Sequence, residues 1–298
     1  MLPTREQRID RLGAMLLRTS GLISASIVLL VVGFLLWRAW PAFTNIGAAH
    51  FALDEDWSPS AGRFDLTAMA ATSVATTLGA IALAGPLGIG SALFSRFYAP
   101  PPLAAVYRRL VELLAGIPSV IYGFWGLVTL VPLLARWRGS GASLLAATLV
   151  LTLMILPTVA LLTEAALASV PGTQRQGAAA LGLGTWVTLR RVILPAALPG
   201  IVRALLLAAM RAVGETMAVL MVSGNVVRFP GDPFAAVRAL TSNIALEMGY
   251  AYGDHQSALF FSGLVLLALV AGGVVLADWV ALRQHRDLPA PGEHAPHV

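Results

Sequence analysis

The sequence contains no cysteine and no lysine, and only 12% of its 298 residues are charged. The lack of cysteine excludes disulfide bonds and thiolate metal sites. The lack of lysine excludes an ordinary P-loop, because that motif places a lysine on the β and γ phosphates of a nucleotide. The five histidines show no ligand spacing. We therefore expect no metal, no other cofactor and no enzymatic activity in this chain.

Hydrophobic residues make up 57% of the chain, and its mean hydropathy is +0.78. A soluble protein of this size would have too little polar surface to cover its core, so the composition predicts a membrane protein surrounded by lipid. All twenty basic residues are arginines, and they lie scattered between apolar runs. Membrane topology explains this pattern, so the net charge of +5 does not indicate a nucleic-acid partner.

Six apolar stretches are long enough to cross a bilayer as helices, since ~30 Å of hydrocarbon requires about 20 residues at 1.5 Å per residue. The predicted fold class is therefore all-α, a polytopic membrane protein of six transmembrane helices. The stretches lie near residues 18–37, 68–95, 106–134, 142–163, 200–223 and 257–282.

The distribution of arginine predicts the orientation of these spans. Thirteen arginines lie in the two terminal segments and in the loops on one side, and six lie on the other side, after spans one, three and five. Because arginine is enriched in cytoplasmic loops, both termini are predicted to be cytoplasmic. Arg136 and Arg138, after span three, run against this rule.

The spans divide the chain into four predicted parts. Residues 1–17 form a cytoplasmic segment, and residues 18–66 form the first transmembrane helix with an extracytoplasmic loop. Residues 67–283 form the main transmembrane domain, and the Pro- and Gly-containing tail 284–298 is predicted to be disordered. The extracytoplasmic segments near 39–66 and 224–256 are long enough to contact an outside partner.

The loop between predicted spans four and five is rich in alanine between Gln174 and Gly182, and it ends at Pro195. Small alanines favour a compact helix, Gly182 permits a tight turn, and Pro195 is predicted to end the following helix. Such an element fits a groove on another protein. An ordinary amphipathic surface loop is the alternative that the alanine run supports equally well.

This loop resembles the coupling loop of binding-protein-dependent ABC importers, in which Glu-Ala-Ala precedes a glycine and an aliphatic-x-Leu-Pro sequence follows. The interval from Gly182 to Pro195 fits that pattern, but Gln176 replaces the glutamate and Gly177 replaces the first alanine. The resemblance implies that residues near 174–196 contact an ATPase subunit. The implied contact residues are Gln176, Gly177, Ala178, Gly182, Leu194 and Pro195.

Two further motifs resemble the Pst phosphate permeases. Span five reads Arg211-Ala-Val-Gly-Glu-Thr-Met-Ala, and span three contains Tyr122-Gly-Phe-Trp-Gly-Leu. Both are similar to the PstC-type subunit, and the similarity runs from about Thr67 to the end of span six. It implies a MetI-like ABC importer permease of the bacterial inner membrane that moves inorganic phosphate from the periplasm into the cytoplasm. The implied partners are a PstA-type second permease, PstB-type ATPase subunits and a PstS-type periplasmic phosphate-binding protein.

Arg211 and Glu215 form the candidate substrate site. Arg211 lies about ten residues into span five, roughly 15 Å deep, where a charge costs at least ~2.5–3.5 kcal/mol and needs a partner or a wet cavity. Glu215, four residues later, is predicted to lie on the same helix face. Arg211 would bind phosphate through its planar fork, and Glu215 would hold the guanidinium when the path is empty. The alternative is that the two charges neutralise each other, or a charge on a neighbouring helix, only to fix packing. Thr216 continues the polar path.

Gly116 and Pro118 are predicted to bend or interrupt span three and so to expose backbone groups that Ser119 or Tyr122 can satisfy. A pore-lining kink and ordinary close helix packing are supported equally. Two other functions stay open at this point, a permease for another oxyanion and a stand-alone secondary transporter or channel. The last would favour inverted repeats with paired broken helices, and we detect no convincing repeat.

Overall fold

The computed structural model describes residues 5–54 and 56–286, with side chains from 13 to 54 and from 56 to 279. These residues are mostly helical. In chain order the helices are α1 (Arg5–Pro41), α2 (His50–Leu53), α3 (Thr67–Leu93), α4 (Pro101–Ala115), α5 (Ser119–Trp125), α6 (Val131–Ala135), α7 (Leu144–Ala168), α8 (Gly172–Ala180), α9 (Thr185–Thr188), α10 (Leu194–Val213), α11 (Met217–Val222), α12 (Leu240–Glu247) and α13 (Gly253–Arg286).

Five helical segments are long and apolar enough to cross a membrane alone, and a bent pair, α4 with α5–α6, supplies a sixth. Five of the predicted spans are therefore confirmed and the bent pair corresponds to the other, but the continuous segment of span five is Thr185–Val213 rather than 200–223. The pair bends by 89° between Ala115 and Ser119, which confirms the expected interruption of span three. The cause is local, since Gly116 ends α4 and Pro118 disfavours helical geometry at Ile117. The five segments are Gly13–Ile46, Thr67–Tyr98, Leu144–Ala168, Thr185–Val213 and Gly253–Trp279.

Wide π-type turns extend or join several helices. The turn Leu189–Ile193 connects α9 directly to α10. Our prediction that Pro195 ends a helix is therefore wrong, because Pro195 lies in the first turn of α10. Proline is tolerated there, since its missing N–H is one of the donors that a helix start leaves unpaired. The other π-type turns are Ala42–Ile46, Phe94–Tyr98 and Gly126–Leu130.

Helix α7 is the centre of the bundle and packs against α3, α10, α4 and α11. Its buried residues include Val150, Leu151 and Ile155, which share one apolar cluster with Ala80 of α3 and Ala208 of α10. Helix α1 is exposed along its apolar stretch and packs mainly against α13. The bundle therefore has a protein core around α7, and α1 presents most of its surface to lipid.

The two extracytoplasmic segments predicted near 39–66 and 224–256 come together as one outer cap. Strand β1 (Trp57–Ser58) pairs antiparallel with β2 (Arg63–Phe64), and the rings of Trp57 and Phe64 join a buried cluster with Leu240 and Leu259. The Phe64 amide donates to the Asp54 carboxylate at 2.8 Å, which lowers the pKa of that carboxyl. Residues 287–298, most of the tail predicted to be disordered, lie outside the described residues.

The contact between α5 and α11 depends on Gly123. A Cβ at this position would lie 2.8 Å from the Cα of Ala218, a main-chain atom that cannot move aside cheaply. We expect Gly123→Ala to lower the thermal midpoint of the detergent-purified protein by several degrees, because overpacking costs about 1–3 kcal/mol. Gly90→Ala in α3 is the matched control, since a Cβ there meets no atom within 4 Å. Equal midpoints for the two variants would contradict this close contact.

Candidate functional site

The two interrupted spans lie against each other. α5 follows the break in span three, and α11 follows a second break, residues 214–216, in span five. The two short helices pack through Gly123 and Ala218. Tyr122 of α5 packs against the core cluster that contains Ala212, the residue after Arg211 in the last turn of α10. Ser119, the first residue of α5, lies one turn before Tyr122. The structure therefore brings the candidate residues of spans three and five to one region.

The level of Arg211 in the bundle follows from the packing of α10 on α7. A Cβ at Gly200 would lie 2.6 Å from the Cβ of Ala166, so these residues are at the same height. The helices run in opposite directions with the same rise, so Arg211, eleven residues after Gly200, lies level with Ile155, eleven before Ala166. Ile155 is at the middle of α7, and it shares a core cluster with Ala212. Arg211 is thus level with the middle of α7, and its depth in the bilayer stays a prediction.

The predicted pairing of Arg211 with Glu215 is wrong. α10 ends at Val213, so Glu215 is not on a helix face shared with Arg211. Its carboxylate instead accepts the N–H of Ala218 at 3.3 Å, which places a negative charge at the start of α11. Among residues 13–54 and 56–279, no carboxylate forms an ion pair with the exposed Arg211. Mutual neutralisation of the two charges is therefore not what holds this site.

The remaining candidate residues have identifiable local contacts. The Tyr122 hydroxyl donates to the carbonyl of Leu114 at 2.9 Å. This bond crosses the bend and pairs one of the carbonyls at the end of α4, as expected. The Thr216 hydroxyl donates to the carbonyl of Gly214 at 3.4 Å, within the break of span five. Ser119 is half-buried at the start of α5. The participation of these three residues in a substrate path stays a prediction.

A further helix, which the sequence analysis missed, packs against the break in span five. α12 lies in the segment that we treated as an extracytoplasmic loop, and the hydroxyl of its Thr241 donates to the carbonyl of Glu215 at 2.9 Å. Eight residues are too few for a span, so hydropathy does not reveal it. The sequence signal that points to α12 is the mixture of apolar residues with the polar residues Ser242 and Asn243. Both of these polar residues are buried.

The first turn of α12 contains buried donors that have no partner among the described residues. Ala239 in the N-cap position has no side-chain acceptor, and Ser73 accepts only the N–H of Leu240, at 3.0 Å. Within the described part of the chain, the N–H groups of Thr241 and Ser242 and the hydroxyl of Ser242 find no partner. Thr241 is 4% exposed and Ser242 is 0% exposed. Each unsatisfied buried group costs about 1–3 kcal/mol, so such a concentration of them is unusual.

The other end of α12 is held by a buried carboxylate. Glu247 accepts the indole N–H of Trp57 at 2.8 Å and a guanidinium N–H of Arg238 at 2.7 Å. The Nε2 of His255 lies 2.9 Å from the same carboxylate. These contacts join β1, α12 and the start of α13. Removal of one partner from a buried ionic cluster is costly, so this cluster fixes α12 over the break in span five.

The predicted coupling loop begins with α8, which confirms its alanine-rich helix, and Gly182 follows with a φ of +70°, which confirms the tight turn. Gln176, Gly177 and Gly182 are exposed, whereas Ala178 is buried within the chain. The loop rests on the turn Phe94–Tyr98, where the Arg175 guanidinium lies 5.8 Å from the ring centre of Phe97. Leu194 and Pro195 begin α10, so the loop is continuous with span five.

Comparisons with known proteins agree with this architecture. The family profile described as binding-protein-dependent transport system inner membrane component matches residues 84–287. The chain is 36% identical to the probable ABC transporter permease protein YqgH of Bacillus subtilis, over 95% of each chain. It is 35% identical to the phosphate transport system permease protein PstC of Mesorhizobium japonicum, over 82% of this chain and 81% of the relative.

Two solved transporters share the fold. An inward-facing MetNI methionine ABC transporter matches with a TM-score of 0.58 at 23% identity, over 72% of this chain and 93% of that one. A bacterial ABC transporter for the import of alginate matches with a TM-score of 0.59 at 16% identity, over 92% of this chain and 99% of that one. At such identities the matches establish the fold alone. They confirm the predicted all-α ABC importer architecture.

Proposed function

Because this chain belongs to the family of binding-protein-dependent transport system inner membrane components, we propose that it carries inorganic phosphate into the bacterial cytoplasm. It is the permease subunit of an ABC importer in the inner membrane, and it is not an enzyme. ATP hydrolysis in such importers belongs to a separate subunit. Family membership defines the permease, and phosphate as its substrate is the proposal.

The observation that carries this choice is the exposed guanidinium of Arg211 at the middle of the bundle, in a chain similar to several PstC permeases. Guanidinium presents a planar set of donors that matches two oxygens of a phosphate. A cation at this depth is expensive unless it serves an ion path or has a partner. The lack of an ion-pair partner among the described carboxylates therefore supports a role for Arg211 in binding an anion.

Transport also requires release of the bound substrate. Glu215 would promote this release without the predicted ion pair to Arg211. The carboxylate accepts the N–H of Ala218 at the start of α11, only four residues from Arg211. A fixed negative charge near the binding cation weakens the hold on an anion, and conduction demands binding that is not too strong. Glu215 then lowers the affinity for phosphate by electrostatic repulsion, without forming an ion pair with the Arg211 guanidinium.

The proposed partners follow from the same assignment. A PstB-type ATPase would receive the exposed α8 and Gly182, a PstA-type permease would complete the membrane domain, and a PstS-type binding protein would deliver phosphate to the outer cap. The proposed orientation has both termini in the cytoplasm, and an even number of six spans together with the arginine distribution supports it. The α8 loop, which follows the fourth span, would then face the cytoplasm as well.

The test is uptake of radiolabelled phosphate by cells whose only phosphate importer is this permease with its partner subunits. We expect ATP-dependent uptake that unlabelled phosphate inhibits and that a large excess of sulfate or molybdate does not. Arg211 alone would accept any tetrahedral oxyanion, so another oxyanion substrate is the second candidate. ATP-dependent uptake of sulfate by cells that show no uptake of phosphate would make sulfate the substrate instead.

A further inference from the structure

We propose that the first turn of α12 is an oxyanion subsite of the transport path, in which the N–H groups of Thr241 and Ser242 and the hydroxyl of Ser242 bind the substrate. The proposal rests on the proposed function and extends it, because it adds a second contact point on an element outside the six spans. The ligand class is a tetrahedral oxyanion, with phosphate as the expected member.

The first argument is the set of free donors. The N-terminus of a helix has unpaired N–H groups and a partial positive charge, which together favour anions. In α12 the N–H groups of Thr241 and Ser242 lack partners among the described residues, and so does the buried Ser242 hydroxyl. Since Cα–Cβ bonds tilt towards the helix N-terminus, the Ser242 side chain leans towards the end of α12 from which the two N–H groups point. The three donors belong to one helical turn, and the proposal is that one oxyanion accepts all of them.

The second argument is that the nearby acceptors of the described chain are already engaged. The Ser73 hydroxyl accepts the N–H of Leu240, and the Glu215 carbonyl accepts the Thr241 hydroxyl. The Glu215 carboxylate turns to Ala218 of α11. Arg238, next to the start of α12, donates to Asn243 and Glu247 further along the helix, so it does not fill the first turn. The three donors are thus left for a ligand.

The third argument is location. The Thr241 hydroxyl touches the carbonyl of Glu215, so the first turn of α12 borders the break that follows Arg211. Broken helices whose N-termini face an anionic substrate are a recurrent device in membrane transporters. Ser242 is 0% exposed in this conformation. The anion therefore reaches the subsite when the first turn of α12 moves away from the break and the Thr241–Glu215 contact opens, while the Glu247 cluster holds the other end of the helix.

Two substitutions of Ser242 test the subsite, with phosphate uptake measured at equal amounts of membrane-inserted protein. Ser242→Ala removes one donor, and we expect the KM for phosphate to rise roughly tenfold, the factor that one hydrogen bond to an anion contributes. Ser242→Asp places a carboxylate where the anion would bind. Acidic residues in the first turn stabilise helices, so the variant should assemble normally while its uptake falls by roughly a hundredfold.

The matched control is Ser262→Ala in α13, an equally buried serine whose hydroxyl donates to the carbonyl of Ala258 at 2.9 Å. It should keep the wild-type KM. Wild-type kinetics of both Ser242 variants would overturn the subsite and leave the proposed function intact. A wild-type chain that imports no phosphate would overturn both. If Ser242→Asp does not assemble, the KM of Ser242→Ala decides, and a shift no larger than that of Ser262→Ala would refute the proposal.

Discussion

Arg211→Gln is expected to reduce phosphate uptake by about ten- to a hundredfold at equal amounts of inserted protein, because a charge-assisted hydrogen bond contributes about 1.5–3 kcal/mol. Since Arg211 makes no ion pair with any described carboxylate, the substitution leaves no buried negative partner unpaired. The variant should therefore insert and assemble normally. The measurement is initial uptake of labelled phosphate, normalised to permease in the membrane.

Three further variants sharpen this result. Arg211→Lys keeps the charge but loses the bidentate fork, so we expect a partial loss. The neutral double variant Arg211→Gln with Glu215→Gln should be as impaired as Arg211→Gln. Arg203→Gln is the control on the same helix, because Arg203 pairs with Asp278 at 3.3 Å and both side chains are exposed. Its uptake should stay within about twofold of wild type. Wild-type uptake by the double variant would refute a role of Arg211 in translocation.

An insertion of two residues between Gly182 and Pro195 is expected to abolish ATP-driven uptake without preventing membrane insertion. The turn Leu189–Ile193 runs directly into α10, so the loop and span five form one continuous element. Two extra helical residues rotate α8 by about 200° relative to α10 and displace it by about 3 Å. The surface that meets the proposed ATPase would then no longer fit. Uptake and ATPase activity of the assembled transporter are measured together.

Two controls separate coupling from a general defect. The same insertion after Gly231, an exposed outer-loop residue with open space around it, should leave uptake close to wild type. Gln176→Ala should have a small effect, because the proposed contact depends on the shape of the loop and Gln176 replaces the charged residue of the related motif. If the permease with the 182–195 insertion still couples ATP hydrolysis to uptake, that result would show that this loop does not transmit the conformational change of the ATPase to the membrane domain.

The site shows where prediction from sequence stopped. The break in span three was predictable because Gly116 and Pro118 act on the backbone at their own positions. The break in span five carried a weaker signal, a single Gly214 at the end of α10 with no proline after it, so helical spacing put Arg211 and Glu215 on one face. The helix in fact ends at Val213, and the Glu215 carboxylate accepts the N–H of Ala218. A spacing rule holds only while the helix continues, and here tertiary contacts helped to decide its end.

The sequence alone determined the six spans, their lipid environment, the interruption at Gly116 and Pro118, and the alanine-rich helix with its turn at Gly182. Each of these depends on local properties, namely the length of apolar runs that a bilayer demands and the backbone preferences of glycine and proline. Only the tertiary structure decided that α12 packs on the break in span five and that its first turn keeps free donors. Those features depend on contacts between residues far apart in the chain, such as Thr241 with Glu215 and Trp57 with Glu247, which no local pattern encodes.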